Sequence, residues 1–174
     1  LYLDREVASL SPSDPSGPLV YGNFVTSLDG RIAIGEAETT SHVPRAISTR
    51  ADWRLFQELQ AHADAFITHG GYLRALARGQ LGNILQVGLR EDAADLLHWR
   101  RARGLDRQPV VIVASTSLAF TLPPSLGEHD QPVVIATTKR APPDRVEAWR
   151  EAGADVRVTG DSERVGARAL VDIA

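Results

Sequence analysis

With 174 residues, 43% of them hydrophobic and 24% charged, the chain has the length and balance of one soluble globular domain, or of one domain and part of another. A formal charge of −3 argues against the basic face that a phosphate backbone demands, so no nucleic-acid partner is expected. The absence of cysteine excludes disulfides and thiolate metal sites. The five histidines, His42, His62, His69, His98 and His129, show no ligand spacing, so no metal is expected either.

No apolar run approaches the roughly 20 residues of a membrane span, and no signal peptide opens the chain. A cytoplasmic protein with no membrane partner is the expectation. The chain starts at Leu1 rather than Met and stops at Ala174 inside a predicted helix, so residues are expected to be missing at both ends. Residues 11–18 (SPSDPSGP) form a Pro/Ser/Gly linker. That makes residues 1–18 an N-terminal arm and linker, and residues 19–174 the domain proper, C-terminally incomplete.

The domain opens on residues 21–31 (YGNFVTSLDGR). Val20, Gly22, Phe24 and Thr26 alternate with Tyr21, Asn23 and Val25 in the period of two expected of a strand. Leu28-Asp29-Gly30 then breaks the pattern as a turn. Asp29, just past a strand end, is placed to meet a ligand; from pattern alone a turn aspartate bonding its own backbone is the favoured reading. Residues 35–45 read as a loop.

Thr49 and Asp52 resemble a capping box before Trp53, Phe56, Leu59 and Ala63, which predicts a helix over residues 51–63. Residues 65–68 (AFIT) form a short apolar strand. Gly70-Gly71 then leads into a helix over residues 72–78, closed by Gly79. Strand, glycine turn, helix is the arrangement that aims backbone N–H groups at an anion. Residues 91–103 are a further predicted helix, its acids leading its arginines. Residues 110–114 (VVIVA) and 133–137 (VVIAT) read as strands buried on both faces. A helix over 144–152 with a box-like Asp144/Glu147 start, a strand over 155–159 and a last helix from about Ser162 complete the pattern. This is α/β architecture with a largely parallel sheet covered by helices.

In such sheets ligands bind outside the carboxyl ends of the strands, which here are residues 27–30, 69–72, 115–117, 137–139 and 159–161. Hydroxyl and glycine residues dominate them, as suits a nucleotide phosphate and ribose, although turns share that composition. The dinucleotide fingerprint GxGxxG, the phosphate loop GxxxxGK[ST] and the elbow GxSxG are all absent.

Together, NFVTSLDGRIA, the helix containing WRLFQELQAHADA, the strand leading to HGGYLRAL, and VVIVASTSLAFTLP resemble the reductase domain of bacterial riboflavin biosynthesis, the C-terminal domain of a bifunctional deaminase-reductase. The resemblance implies a dihydrofolate-reductase-like three-layer fold with a mostly parallel central sheet and flanking helices, its C-terminal strands missing here. It further implies a homodimer that binds NADPH along the strand ends and transfers hydride to a ribosylaminopyrimidine phosphate or a related pyrimidine or pteridine. Carried over, Val25 and Thr26 line the nicotinamide side, and Asp29 lies where cofactor meets substrate, as the catalytic candidate, with Ser27 and Ile47 beside it on the substrate side. Gly70, Gly71, Tyr72 and Leu73 cradle the pyrophosphate, and Ser115 and Thr116 approach the adenosine 2'-phosphate.

The chain departs from the family at Tyr72, where threonine is common, and at Gln60, where an arginine often grips phosphate. The family's Glu-Gly-Gly segment falls beyond Ala174. Gln60 and Tyr72 favour the rival reading, a non-catalytic dimeric ligand-binding module that keeps the fold. A flavodoxin-like binding domain leaves the SLDGR segment unexplained.

Overall fold

The computed structural model describes residues 2–4, 7, 18–24 and 49–174. Residues 18–24 lie in no helix or strand, and Val20 and Phe24 are exposed, at 62% and 68%. The Tyr21 hydroxyl donates to Leu59 O at 2.6 Å. The chain divides into two compact units, Leu1–His62 with Val87–Gly104 and Ala63–Gln86 with Leu105–Ala174.

In the first unit, α1 (Arg50–His62) starts where the capping residues predict, Thr49 Oγ1 accepting the Asp52 N–H at 3.1 Å. The helix expected over residues 91–103 divides into a 3₁₀ turn, Glu91–Ala93, and α3 (Asp95–Ala102). No side chain caps that first turn, so it tightens onto shorter bonds such as Ala93 N–H to Arg90 O at 3.0 Å. The two helices are joined by Arg54, which grips Asp95 through two bonds of 2.8 and 2.6 Å and Glu58 at 2.9 Å. The hydrogen bond from Arg54 is the main cause that holds Asp95 below its ordinary carboxylate range. Arg100, 1% exposed, donates to Ala61 O at 2.8 Å. Residues 2–4 lie against α1, with the Tyr2 N–H on Glu58 Oε2 and Tyr2 O on His62 Nε2, each at 2.8 Å.

The second unit is built on β1 (Ala65–His69), β2 (Val110–Ala114), β3 (Val133–Thr137) and β4 (Asp155–Val158). They pair in the order β1-β2-β3-β4, every pair parallel, with Ile67 opposite Ile112, Ile112 opposite Val134 and Ile135 opposite Val156. Successive residues face opposite sides. Val111, Val113, Ile135 and Val156 therefore join Leu73 of α2 (Gly70–Ala77), Leu126 of α4 (Pro124–Glu128) and Val146 and Trp149 of α5 (Pro143–Glu151) in one core. Ile112, Val134 and Ala136 meet Leu170 and Ile173 of α6 (Ala167–Ile173) on the other side. Helix, sheet and helix make three layers, which is why the central strands β2 and β3 read as unbroken apolar runs.

Three helix starts differ from expectation. Helix α2 begins at Gly70, since His69 is the cap. Helix α5 begins at Pro143 without a side-chain cap, because proline at the first position supplies the start that Asp144 and Glu147 were expected to give. Helix α6 begins only at Ala167. The short α4, with its proline and Gly127, has no helical periodicity and was not anticipated.

Candidate functional site at the strand exits

All four strands run the same way, so their carboxyl ends come out along one edge of the second unit. The first exit turns directly from β1 into α2. His69 Nδ1 accepts the Tyr72 N–H at a long 3.3 Å, and His69 is exposed. Gly70 and Gly71, ahead of it, have no intrahelical acceptor for their N–H groups. Gly70 is needed for close approach, while at Gly71 the nearest neighbour is the exposed His69 ring. A Cβ on Gly70 falls 2.8 Å from Ser115 Oγ and 3.0 Å from the Phe120 ring, and one on Gly71 falls 2.8 Å from His69 Nδ1.

Only the main chain of the next two residues faces the terminus. The Tyr72 hydroxyl is occupied elsewhere, donating to Gly82 O at 3.0 Å and accepting the Ile84 N–H at 3.1 Å. Burial pushes the phenol above its ordinary value of 10.0, against the Ile84 bond, which favours the ionised form. Leu73 is 1% exposed in the core. The bulk of Tyr72 thus serves the loop over residues 82–84, and Gln60, 9% exposed, is buried in α1.

The second exit is a loop braced from behind. Ser115, buried, accepts the Leu118 N–H on its Oγ at 3.1 Å, which supports Leu118 in a left-handed conformation, φ 52°. Trp149 Nε1 donates to Leu118 O at 3.2 Å and its ring stacks on Phe120 with centroids 5.0 Å apart. Arg145 donates to Ser117 O at 2.8 Å, and the Thr116 hydroxyl donates to Glu163 O at 2.9 Å. The third and fourth exits bond to each other. Thr137 O accepts both the N–H and the hydroxyl of Thr159, at 2.7 and 2.9 Å, and the Lys139 N–H donates to Gly160 O at 2.9 Å. Lys139 Nζ then meets Asp161 at 2.9 Å.

Gly70, Gly71, Tyr72, Leu73, Ser115 and Thr116 are therefore neighbours on adjacent exits, as the parallel pairing of β1 and β2 requires. Val25, Thr26, Ser27, Asp29 and Ile47 lie outside the described residues. Sequence reading marks His69, beside the glycine pair, as the one histidine in a plausible site, and the structure makes it the cap of α2; the Lys139–Asp161 pair was signalled only by its place in the strand exits over residues 137–139 and 159–161. The donor set suits a pyrophosphate: two helix-start amides without intrahelical acceptors, and a third held by a long bond to an exposed imidazole able to turn away. Among the described residues no cluster of His, Asp or Glu is suited to a metal, and no helix is long and apolar enough to cross a membrane.

The second unit is a parallel three-layer α/β unit with its polar edge at the strand exits, consistent with a dihydrofolate-reductase-like fold. The chain belongs to the RibD C-terminal domain family, which it matches over residues 18–173. Its fold is similar to that of a pyrimidine reductase-like protein from Corynebacterium diphtheriae, with a TM-score of 0.60 and 18% identity over 86% of this chain. The chain spans 58% of the length of that protein. No curated protein matches it in sequence.

Proposed function

We propose that this chain is an NADPH-dependent reductase domain of the riboflavin-biosynthesis type, acting on a ribosylaminopyrimidine phosphate or a related pyrimidine or pteridine in the manner of a 5-amino-6-(5-phosphoribosylamino)uracil reductase. The observation that carries this reading is membership of the RibD C-terminal domain family over residues 18–173. The pyrimidine reductase-like character of the structural relative agrees with it. So does the glycine turn into α2, which offers backbone donors to a pyrophosphate.

When bound, reduced nicotinamide supplies a hydride from its C4 to an electrophilic carbon of the substrate, and a proton at the adjacent heteroatom completes the reduction. The chain's part is to hold the two partners together and match the charge that develops. Gly70 and Gly71 hold the pyrophosphate through their amides, with Tyr72 and Leu73 contributing main chain only. Val25 and Thr26 border the nicotinamide, and Asp29, with Ser27 and Ile47, orients the substrate or relays the proton. The active species in this reading is a cytoplasmic homodimer.

NADPH titrated into the protein is expected to raise its melting temperature, and a panel of pyrimidine and pteridine substrates to reveal one that oxidises it. Asp29→Ala is expected to lower turnover by about 100-fold or more, the scale of a lost acid-base group, while NADPH affinity stays within about twofold. Protein that neither binds nor oxidises NADPH would leave the fold without this chemistry and favour the non-catalytic module.

A further inference from the structure

The side chains expected to meet the adenosine 2'-phosphate already have partners inside the chain. Ser115 Oγ is buried beneath the Leu118 N–H, and the Thr116 hydroxyl is turned onto Glu163 O. Neither residue carries a positive charge, and a phosphate dianion is held best by one. The next exit along the sheet, after β3, has what this one lacks. Next to β3 the second unit contains a cavity of about 320 Å³, lined in part by Thr138, Lys139, Val146, Glu147, Arg150 and Val158. Two of these residues are cations and one is an acid, while Val146 and exposed Val158 give it an apolar wall.

Lys139 stands where a ligand running along the strand ends arrives. Its main chain is fixed, since its N–H donates to Gly160 O at 2.9 Å and the next residue's guanidinium donates to Asp161 O at 3.0 Å. Its ammonium is not committed in the same way. The partner Asp161 carboxylate and the lysine are 78% and 67% exposed, and so open an ion pair contributes little. A phosphate with two charges displaces a surface carboxylate at small cost. The start of α2 and the exit of β3 are two strand spacings apart, about 10 Å, a span that an adenosine ribose and an extended lysine cover together.

We propose that Lys139, at the mouth of the cavity between β3 and α5, is the residue that selects a 2'-phosphorylated dinucleotide over its unphosphorylated counterpart. This rests on the reductase reading above. Asp161 is the resting partner of Lys139 and gives it up when the phosphate arrives. Val158 and Val146 border the space for the attached base, and Arg150, whose guanidinium also donates to Val156 O at 3.4 Å, adds positive charge on the α5 side.

The test is direct binding, read by fluorescence with NADPH and NADH separately, on wild type, Lys139→Gln, Asp161→Asn and Thr116→Val. Lys139→Gln is expected to weaken NADPH by about tenfold, the worth of one charge-assisted contact, and to leave NADH within about twofold. Asp161→Asn, which frees the lysine, is expected to tighten NADPH. Both substitutions lie on the surface, so folding does not obscure the result. A wild type that prefers NADPH, with the preference unchanged in Lys139→Gln or lost instead in Thr116→Val, overturns this inference alone. A wild type that binds neither nucleotide overturns the reductase reading and this inference with it.

Discussion

At the exits of β3 and β4 the main chain bonds to itself: Thr159 closes on Thr137 O through both N–H and hydroxyl, and Lys139 N–H closes on Gly160 O. The exits of β1 and β2 are assembled differently. There the main chain leaves α2's first amides without intrahelical acceptors, and side chains from α5 brace the neighbouring loop through Ser117 O and Leu118 O. The β3 and β4 exits close their main chain on themselves and leave side chains such as Lys139 for a ligand, while the β1 and β2 exits are a braced frame that offers backbone donors. The difference shows how one sheet edge can offer a ligand side chains at one margin and backbone at the other, according to which of the two makes the closing bonds.

Removing the brace tests that contrast most severely. Trp149→Ala deletes the stack on Phe120 and the bond to Leu118 O, and is expected to cost roughly 2–3 kcal/mol, less than a fully buried tryptophan because Trp149 is half-buried. Denaturant titration measures the loss, and NADPH affinity should fall with it, since the loop beside Gly70 loosens. A variant that loses the stability but keeps full affinity would show that the brace is unconnected with binding.

Tyr72→Phe probes the same margin more gently. Losing the bonds to Gly82 O and Ile84 N–H is expected to cost about 1 kcal/mol. Because burial raises the folded-state pKa of this phenol above its ordinary value of 10.0, its contribution is fully present below pH 10 and is lost as pH rises through the folded value. Wild type should therefore lose stability on the alkaline side faster than Tyr72→Phe, and parallel curves would overturn the assignment.

The smallest effect belongs to the margin that closes on itself. Thr159→Val removes one side-chain bond to Thr137 O and is expected to cost about 0.5–1 kcal/mol, with no change in dinucleotide affinity. An affinity loss larger than that of Trp149→Ala would reverse the comparison between the two pairs of exits.

These differences explain what the sequence made legible. VVIVA and VVIAT announce β2 and β3 to the residue, because a strand buried on both faces must be apolar throughout. Thr49 announces α1 because a cap bond is made three residues away. The start of α6 and the short α4 were not legible, having neither a capping side chain nor a helical period. At the candidate site, the glycine turn was legible because its geometry is local. The commitment of Thr116 to Glu163, 47 residues on, and of the Tyr72 hydroxyl to the loop over residues 82–84 was not, since tertiary packing alone decides it.

The strand order of the second unit has a further consequence. Each strand pairs with the one that precedes it in the chain. During synthesis, β2 emerges to find β1 already made, β3 finds β2, and β4 finds β3. Among the described strands none has to wait for a template still inside the ribosome, and each pairing closes the shortest loop this set of parallel strands permits. The sheet can grow by addition at one edge, so the hydroxyl-rich margin is laid down in the order in which its residues are translated.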